Sequence, residues 1–327
     1  MLTRRGFLIG SASTVACGPL APAGRSPRPG VTHGVQAGDV GAGRALVWAR
    51  CDEPARMIVE WDTAPSFARA RRIAGPVVTP ESDLAGKVLL DGLPDAQTIA
   101  YRVRFEREAA RGASDWVSGR FATPRPDRFR VAWTGDTCGQ GYGRNPDWGG
   151  LRGYAALRAA EPAVLVHSGD LMYADNPIVA AQPTPDGRTW RNVTNERVAR
   201  VAESLDDFRA RFAYNLEDEH VRTLAAEVPV IAQWDDHETH NNWWPGQQLA
   251  DPRYRERDAS RLAARARQAT FEWNPIPRGP VHRVIRYGPL LDVVVLDCRS
   301  FRTPNDDNLG DAGAMLGGAQ AAWLVET

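Results

Sequence analysis

Three apolar runs, each ending in aspartate, set the strongest limit on what this chain can fold into. They are FRVAWTGD (Phe129 to Asp136), AVLVHSGD (Ala163 to Asp170) and VPVIAQWDD (Val228 to Asp236). Such runs read as strands covered on both faces, the habit of parallel sheets. Helix-like stretches separate them, around Leu151 to Ala160 and around Leu205 to Phe212. A further helix is expected over Arg257 to Phe271, and two paired strands over His282 to Asp297. Alternating strand and helix implies an α/β layered domain, with ligands beyond the carboxyl ends of the strands.

The texture before Phe129 is different. From about Gly30 to Thr123 short strands alternate with turns, as in RALVWAR, MIVEWD and AYRVRFE. In the last of these Tyr101, Val103 and Phe105 share one face, and Arg102, Arg104 and Glu106 the other. That two-residue period, with frequent turns, predicts a β-sandwich. The proline-rich TPRPDR (Thr123 to Arg128) marks the boundary. The division expected is residues 1–29 as leader, 30–123 as sandwich and 128–327 as the α/β domain.

The leader carries TRRGFLIG (Thr3 to Gly10), then a mildly apolar run, then APA (Ala21 to Ala23). This order resembles a twin-arginine export signal, which implies the Tat machinery as a partner and a periplasmic or secreted protein. Anchoring through a lipid on Cys17 is the less favoured alternative, because Thr14 stands where an aliphatic residue is usual. No later segment has the ~20 apolar residues of a membrane span. Removal of the leader would leave Cys51, Cys138 and Cys298, an odd set that argues against a full disulfide framework. Forty basic residues balance forty acidic ones, so no charge patch calls for nucleic acid. The single lysine, Lys87, is read as a trait of composition, and the protein is expected to be a monomer.

The strand-end residues carry the chemistry. Asp136, Asp170, and Asp235 with Asp236 and His237 end successive runs, and neighbouring strands would bring them to one rim. Carboxylates that converge with no lysine or arginine beside them repel one another, and bound cations relieve the repulsion. Two cations sharing a bridging aspartate also suit hydrolysis of phosphate esters, since they hold both the attacking and the leaving oxygen. Tyr173 and Cys138 lie close by in sequence, and a phenolate or thiolate among carboxylates suits ferric iron. Carboxylate, amide and imidazole with water suit calcium or another hard ion.

SGDLMYAD, WDDHETHNNWW and LDCRSFR closely resemble motifs of the alkaline phosphatase D (PhoD-like) metallophosphatase family. So do GDTCGQGYG, YGPLLDVVVLD and MLGGAQAAWL, in matching order and spacing. GVQAGDV and LDGLPDAQTIAYR look like that family's N-terminal fibronectin-like domain. The resemblance implies a phosphomonoesterase or phosphodiesterase with Fe3+ and Ca2+ in a dinuclear centre, a metal-activated hydroxide and a phosphoester substrate. By position Asp136 and Asp170 would be metal ligands, with Asp170 the bridge. Tyr173 would bind iron, and Asp236 and Asn241 would hold the second ion. Cys138 stays a candidate ligand. His237 stands where such enzymes place the histidine that protonates the leaving oxygen. His240 is read as a flank, His167 as structural, and Arg299 as an ion-pair partner rather than a phosphate ligand. The resemblance also implies that relatives continue past Thr327 with a further GDVH-type strand end, so the catalytic domain would be incomplete. The rival reading is a non-catalytic extracellular binding protein.

Overall fold

The structure, a computed structural model, describes residues 28–108, 112–304 and 313–327. The expected export motif, its APA site and Cys17 lie outside the described residues.

Seven strands come first: β1 (Val31–Gly41), β2 (Arg44–Cys51), β3 (Ala55–Asp62), β4 (Arg71–Val78), β5 (Ala85–Leu90), β6 (Thr98–Glu106) and β7 (Val117–Ala122). β4, β3, β6 and β7 form an antiparallel sheet in that order. The two-residue period of β6 does what it predicts. Ile99, Tyr101, Val103 and Phe105 are fully buried, in one core with Val47, Ala49 and Leu90 of the facing strands. On the other face Arg102 donates two hydrogen bonds to Glu60 across the strand pair, at 2.6 and 2.8 Å.

The α/β part follows. Its elements are β8 (Val131–Thr134), α1 (Arg152–Ala159), β9 (Val164–Ser168), β10 (Ala181–Pro183), β11 (Thr189–Arg191), α2 (Leu205–Leu216), α3 (Glu219–Glu227), β12 (Val230–Gln233), α4 (Ala259–Trp273), β13 (Arg283–Arg286), β14 (Asp292–Val295) and α5 (Gly317–Glu326). β12, β9 and β8 pair in parallel as neighbours, so their carboxyl ends share one edge. Local chemistry starts the helices. Ser204 and Asp207 form a capping box on α2, and the Asp218 side chain accepts two backbone N–H groups at the start of α3.

Two features differ from the sequence reading. First, among the described residues β8 lies at the edge of its sheet, with Val131 45% exposed and Trp133 75%. An apolar run reports its composition, and only the strand order decides whether anything covers it. Second, the sandwich and the α/β part share a sheet. One six-stranded sheet runs β5-β2-β1-β12-β9-β8, joined where Gly38 of β1 faces Val230 of β12 in parallel. A Cβ at Gly38 would sit 2.6 Å from both the Val230 carbonyl oxygen and Pro275, so only glycine permits the join.

Side chains reinforce that contact. Gln36 Nε2 and Trp48 Nε1 donate to carbonyls of Trp273 and Glu272 at the end of α4, at 3.1 and 2.6 Å. The Lys87 ammonium donates to the carbonyls of Phe271 and Ile276, both at 2.6 Å. Burial pulls its pKa down to about 8. The lone lysine is therefore a clamp between β5 and the end of α4, which composition could not disclose. Among the described residues no helix is long and apolar enough to cross a membrane.

Candidate metal centre

The turns after β8, β9 and β12 build the site. Asp136 and Asp170 take left-handed backbone conformations, with φ of 60° and 51°, which aspartate tolerates better than most residues. Gly169 has φ of 103°, and a Cβ there would lie 2.5 Å from Asp235 Cβ. The missing side chain lets the β9 and β12 turns touch, and so brings their carboxylates together.

Ligand-capable atoms of Asp170, Asp236 and His237 all lie within 4.8 Å of one another. Asp136 and Cys138 fall outside that group. Asp136 is nonetheless linked to it, because the Tyr173 hydroxyl bonds both Asp136 Oδ1 and Asp170 Oδ2, the latter at 3.1 Å. The Tyr173 ring stacks on the His237 imidazole with centroids 4.2 Å apart. Cys138 is buried with Ile178, Val198 and Tyr214. Burial pushes its thiol up to about 12. Asn241 is exposed, and its backbone N–H donates to Asp175 Oδ2 at 2.8 Å.

The electrostatics identify the crowded group. Burial raises the Asp170 carboxyl to about 6, and the Asp236 and Asp235 charges add to the shift while His237 opposes it. One sequence expectation is corrected here, since the carboxylates do have a basic neighbour. Arg299, from the turn after β14, pairs with Asp235 at 2.6 Å and with Asp236 at 3.3 Å. Tyr173 is raised by burial and by its bonds to Asp136 and Asp170. For His237, burial disfavours the charged imidazole. The Asp175 hydrogen bond and the Asp170 and Asp236 charges outweigh it and hold the group above its ordinary value. Carboxylates, a phenol and an imidazole form a donor set for hard or borderline cations, and a cation would relieve the strain recorded at Asp170.

Two residues of the cluster were missed in the sequence. Asp175 Oδ1 lies 2.8 Å from His237 Nδ1, which leaves Nε2 as the free nitrogen of the ring. Glu238 is fully buried and accepts the backbone N–H of Leu171 at 2.5 Å and of Asp235 at 2.8 Å. It braces the β9 turn against the β12 turn. Only its place beside His237 hinted at a role, because its partner Leu171 is remote in sequence. The flanking residues are packing. Trp234 and Trp243 are buried at a centroid distance of 5.9 Å, and His167 Nε2 meets Thr137 and Tyr154 hydroxyls at 3.0 and 3.2 Å.

Comparison with known proteins gives a family and a fold. Residues 131–327 match the family model described as PhoD-like phosphatase, and residues 17–125 match PhoD-like phosphatase, N-terminal domain. Alkaline phosphatase D of Bacillus subtilis (strain 168) is 26% identical over 328 residues, covering 90% of this chain and 52% of that protein. The chain thus spans about half the length of that curated relative. A solved structure titled "Structure of PhoD" superposes with a TM-score of 0.72 at 22% identity, covering 94% of this chain and 60% of that one. Purple acid phosphatase PPD1 from yellow lupin (Lupinus luteus) seeds superposes at 0.56 and 13% identity, over 91% of this chain and 48% of that one. At those identities the two structures establish a shared fold.

Proposed function

The chain belongs to the PhoD-like phosphatase family, and on that premise we propose that it hydrolyses phosphate esters outside the cytoplasm. The observation that carries the reading is the meeting of Asp170, Asp236 and His237 within 4.8 Å, with Tyr173 tying Asp136 to Asp170.

Asp136, Asp170 and Tyr173 would hold one cation, taken as iron, and Asp170, Asp236 and Asn241 the other, taken as calcium. When bound, such ions acidify water and offset the charge of phosphoryl oxygens. The chain's own groups do the rest. Asp175 fixes the His237 ring through Nδ1, so that Nε2 is the atom able to hand a proton to the departing alkoxide. Arg299 and Glu238 both hold the Asp235–Asp236 turn in place. The basic and apolar order of TRRGFLIG supports export. Monoester and diester substrates are both accommodated by this reading.

The test is elemental analysis of the purified protein beside hydrolysis assays with mono-aryl and bis-aryl phosphates. Iron with calcium and turnover of at least one ester are expected, and Asp170→Asn should abolish that turnover. Zinc alone would overturn the metal assignment. Bound metal without turnover of either ester would favour a binding protein.

A further inference from the structure

An open cleft of about 570 Å³ is lined in part by Asp136, which the Tyr173 hydroxyl ties to Asp170 of the carboxylate cluster. Its walls are aromatic. Trp148 and Trp190 lie with ring centroids 5.0 Å apart, and Tyr142 meets Trp190 edge-on at 5.8 Å. Tyr154 and Arg152 also line the cleft. We propose that this cleft receives a planar aromatic group on the alcohol side of an anionic phosphoester.

The rings are held ready for such a group. Trp190 comes from the β10–β11 hairpin, inserted between β9 and α2. Its Nε1 donates to Asn192 Oδ1 at 2.9 Å and to the Gly143 carbonyl at 3.2 Å, which fixes the indole plane. The Tyr142 hydroxyl donates to the Pro183 carbonyl of the same hairpin at 2.9 Å. Trp148 is 37% exposed, and the Arg188 guanidinium lies over one part of its ring, 4.3 Å from the centroid, as a flat group stacked there would. Rings with locked orientation bind a flat π-surface at little further cost in conformational freedom. A saturated group of equal size lacks the face-to-face attraction. Arg152, which makes no ion pair among the described residues, brings a guanidinium charge to a cleft that Asp136 also lines. That charge suits an anionic ester. With the phosphoryl group at the cluster, Asp136 marks the point where the alcohol portion would leave it and enter the cleft.

This specificity rests on the hydrolase reading for its phosphoryl position, so the test separates the two. Calorimetric titration of the full chain with phenylphosphonate and with cyclohexylphosphonate compares a flat ring with a puckered ring of similar volume, without turnover. Phenylphosphonate should bind about 3- to 10-fold more tightly. Trp148→Ala should remove the preference, while Trp148→Phe should keep most of it. Trp190→Phe, which keeps a ring in the more buried position, guards against loss of folding. Equal affinity for the two ligands would overturn the proposal, as would no binding of either, or a preference that survives Trp148→Ala. A retained preference in a protein that hydrolyses no ester would sink the hydrolase reading and leave the cleft assignment standing. Turnover without the preference would do the reverse.

Discussion

Asp175 holds His237 in place: its carboxylate lies 2.8 Å and 3.0 Å from the imidazole Nδ1 and also accepts the Asn241 backbone N–H. One buried side chain thus fixes the ring and the loop that follows it. A carboxylate behind a functional histidine sets the tautomer and the ring plane, and its loss commonly costs about 10- to 100-fold. Asp175→Asn is therefore expected to lower kcat about 10- to 100-fold on an aryl phosphate. Metal content should change little, because Asp175 is not placed among the cation ligands. Steady-state kinetics alongside elemental analysis checks both halves.

His237 itself has two readings that a single variant separates. As a proton donor it should be dispensable for cation binding, and as a ligand it should not. His237→Ala is expected to reduce turnover about 100-fold or more while metal content stays near that of the parent protein. An ester with a good leaving group, such as a nitrophenyl ester, should suffer less than one with a poor leaving group, since it needs less protonation. Loss of metal in the variant would move His237 into the ligand set.

Glu238 tests the brace between the two turns. Both of its oxygens accept backbone N–H groups, from Leu171 and Asp235. Burial, followed by the nearby Asp170 charge, raises its pKa well above the usual carboxylate range. Glutamine offers one acceptor and one donor, so one buried N–H would face an amide NH2. Leaving a buried donor unmatched costs about 1–3 kcal/mol. Glu238→Gln should lower stability by about that amount in urea unfolding. Cation affinity should weaken as well, because the β9 and β12 turns lose a shared anchor.

How much of this was legible beforehand depends on whether a signal was local. The strand ends announced Asp136, Asp170 and Asp236 because an apolar run ending in aspartate is written within a few residues. The β6 pattern announced a buried face for the same reason. Arg299 was read as an ion-pair partner, but its partners, Asp235 and Asp236, lie far back in the chain. The brace by Glu238 and the clasp by Asp175 are also long-range contacts, with no periodicity to betray them. The shared sheet was hidden similarly. Gly38 looks like any strand glycine until Val230 and Pro275 are seen against it.

His33 supplies a pH-dependent term away from the cluster. Its Nδ1 is buried without a hydrogen-bond partner. Burial, then the Arg50 charge, pulls the imidazole from 6.5 down to about 4. The unfolded chain therefore binds this proton first as the pH falls. The contribution is complete above pH 6.5 and is lost on the way down to about 4, the sign expected for a base whose folded pKa is depressed. At pH 4.5 the loss amounts to about 2 kcal/mol. His33→Asn suits the left-handed backbone there, φ 61°, and removes the titration. Urea unfolding at pH 7 and pH 4.5 in a chelating buffer should show the variant losing about 2 kcal/mol less than the parent protein. Equal losses would mean that His33 takes up its proton without penalty in the folded state.

Gly169 lies where the fold and the site meet. Its φ of 103° is open to few residues besides glycine, and its Cβ position is taken by Asp235, 2.5 Å away. Alanine would have to push the β9 and β12 turns apart while adopting a strained backbone. Each of those effects costs about 1–3 kcal/mol, so Gly169→Ala should destabilise the protein by about 2–6 kcal/mol. The same displacement would separate Asp170 from Asp236. Cation binding should therefore weaken further than stability alone accounts for, which titration below the unfolding temperature can measure. Gly187→Ala is the matched control. It too has positive φ, 81°, but no atom lies within 4 Å of its Cβ position, so only backbone strain remains. That variant should lose about 1 kcal/mol and bind cations as the parent does. Equal cation affinity in both variants would show that the close approach at Gly169 is not what sets the spacing of the carboxylates.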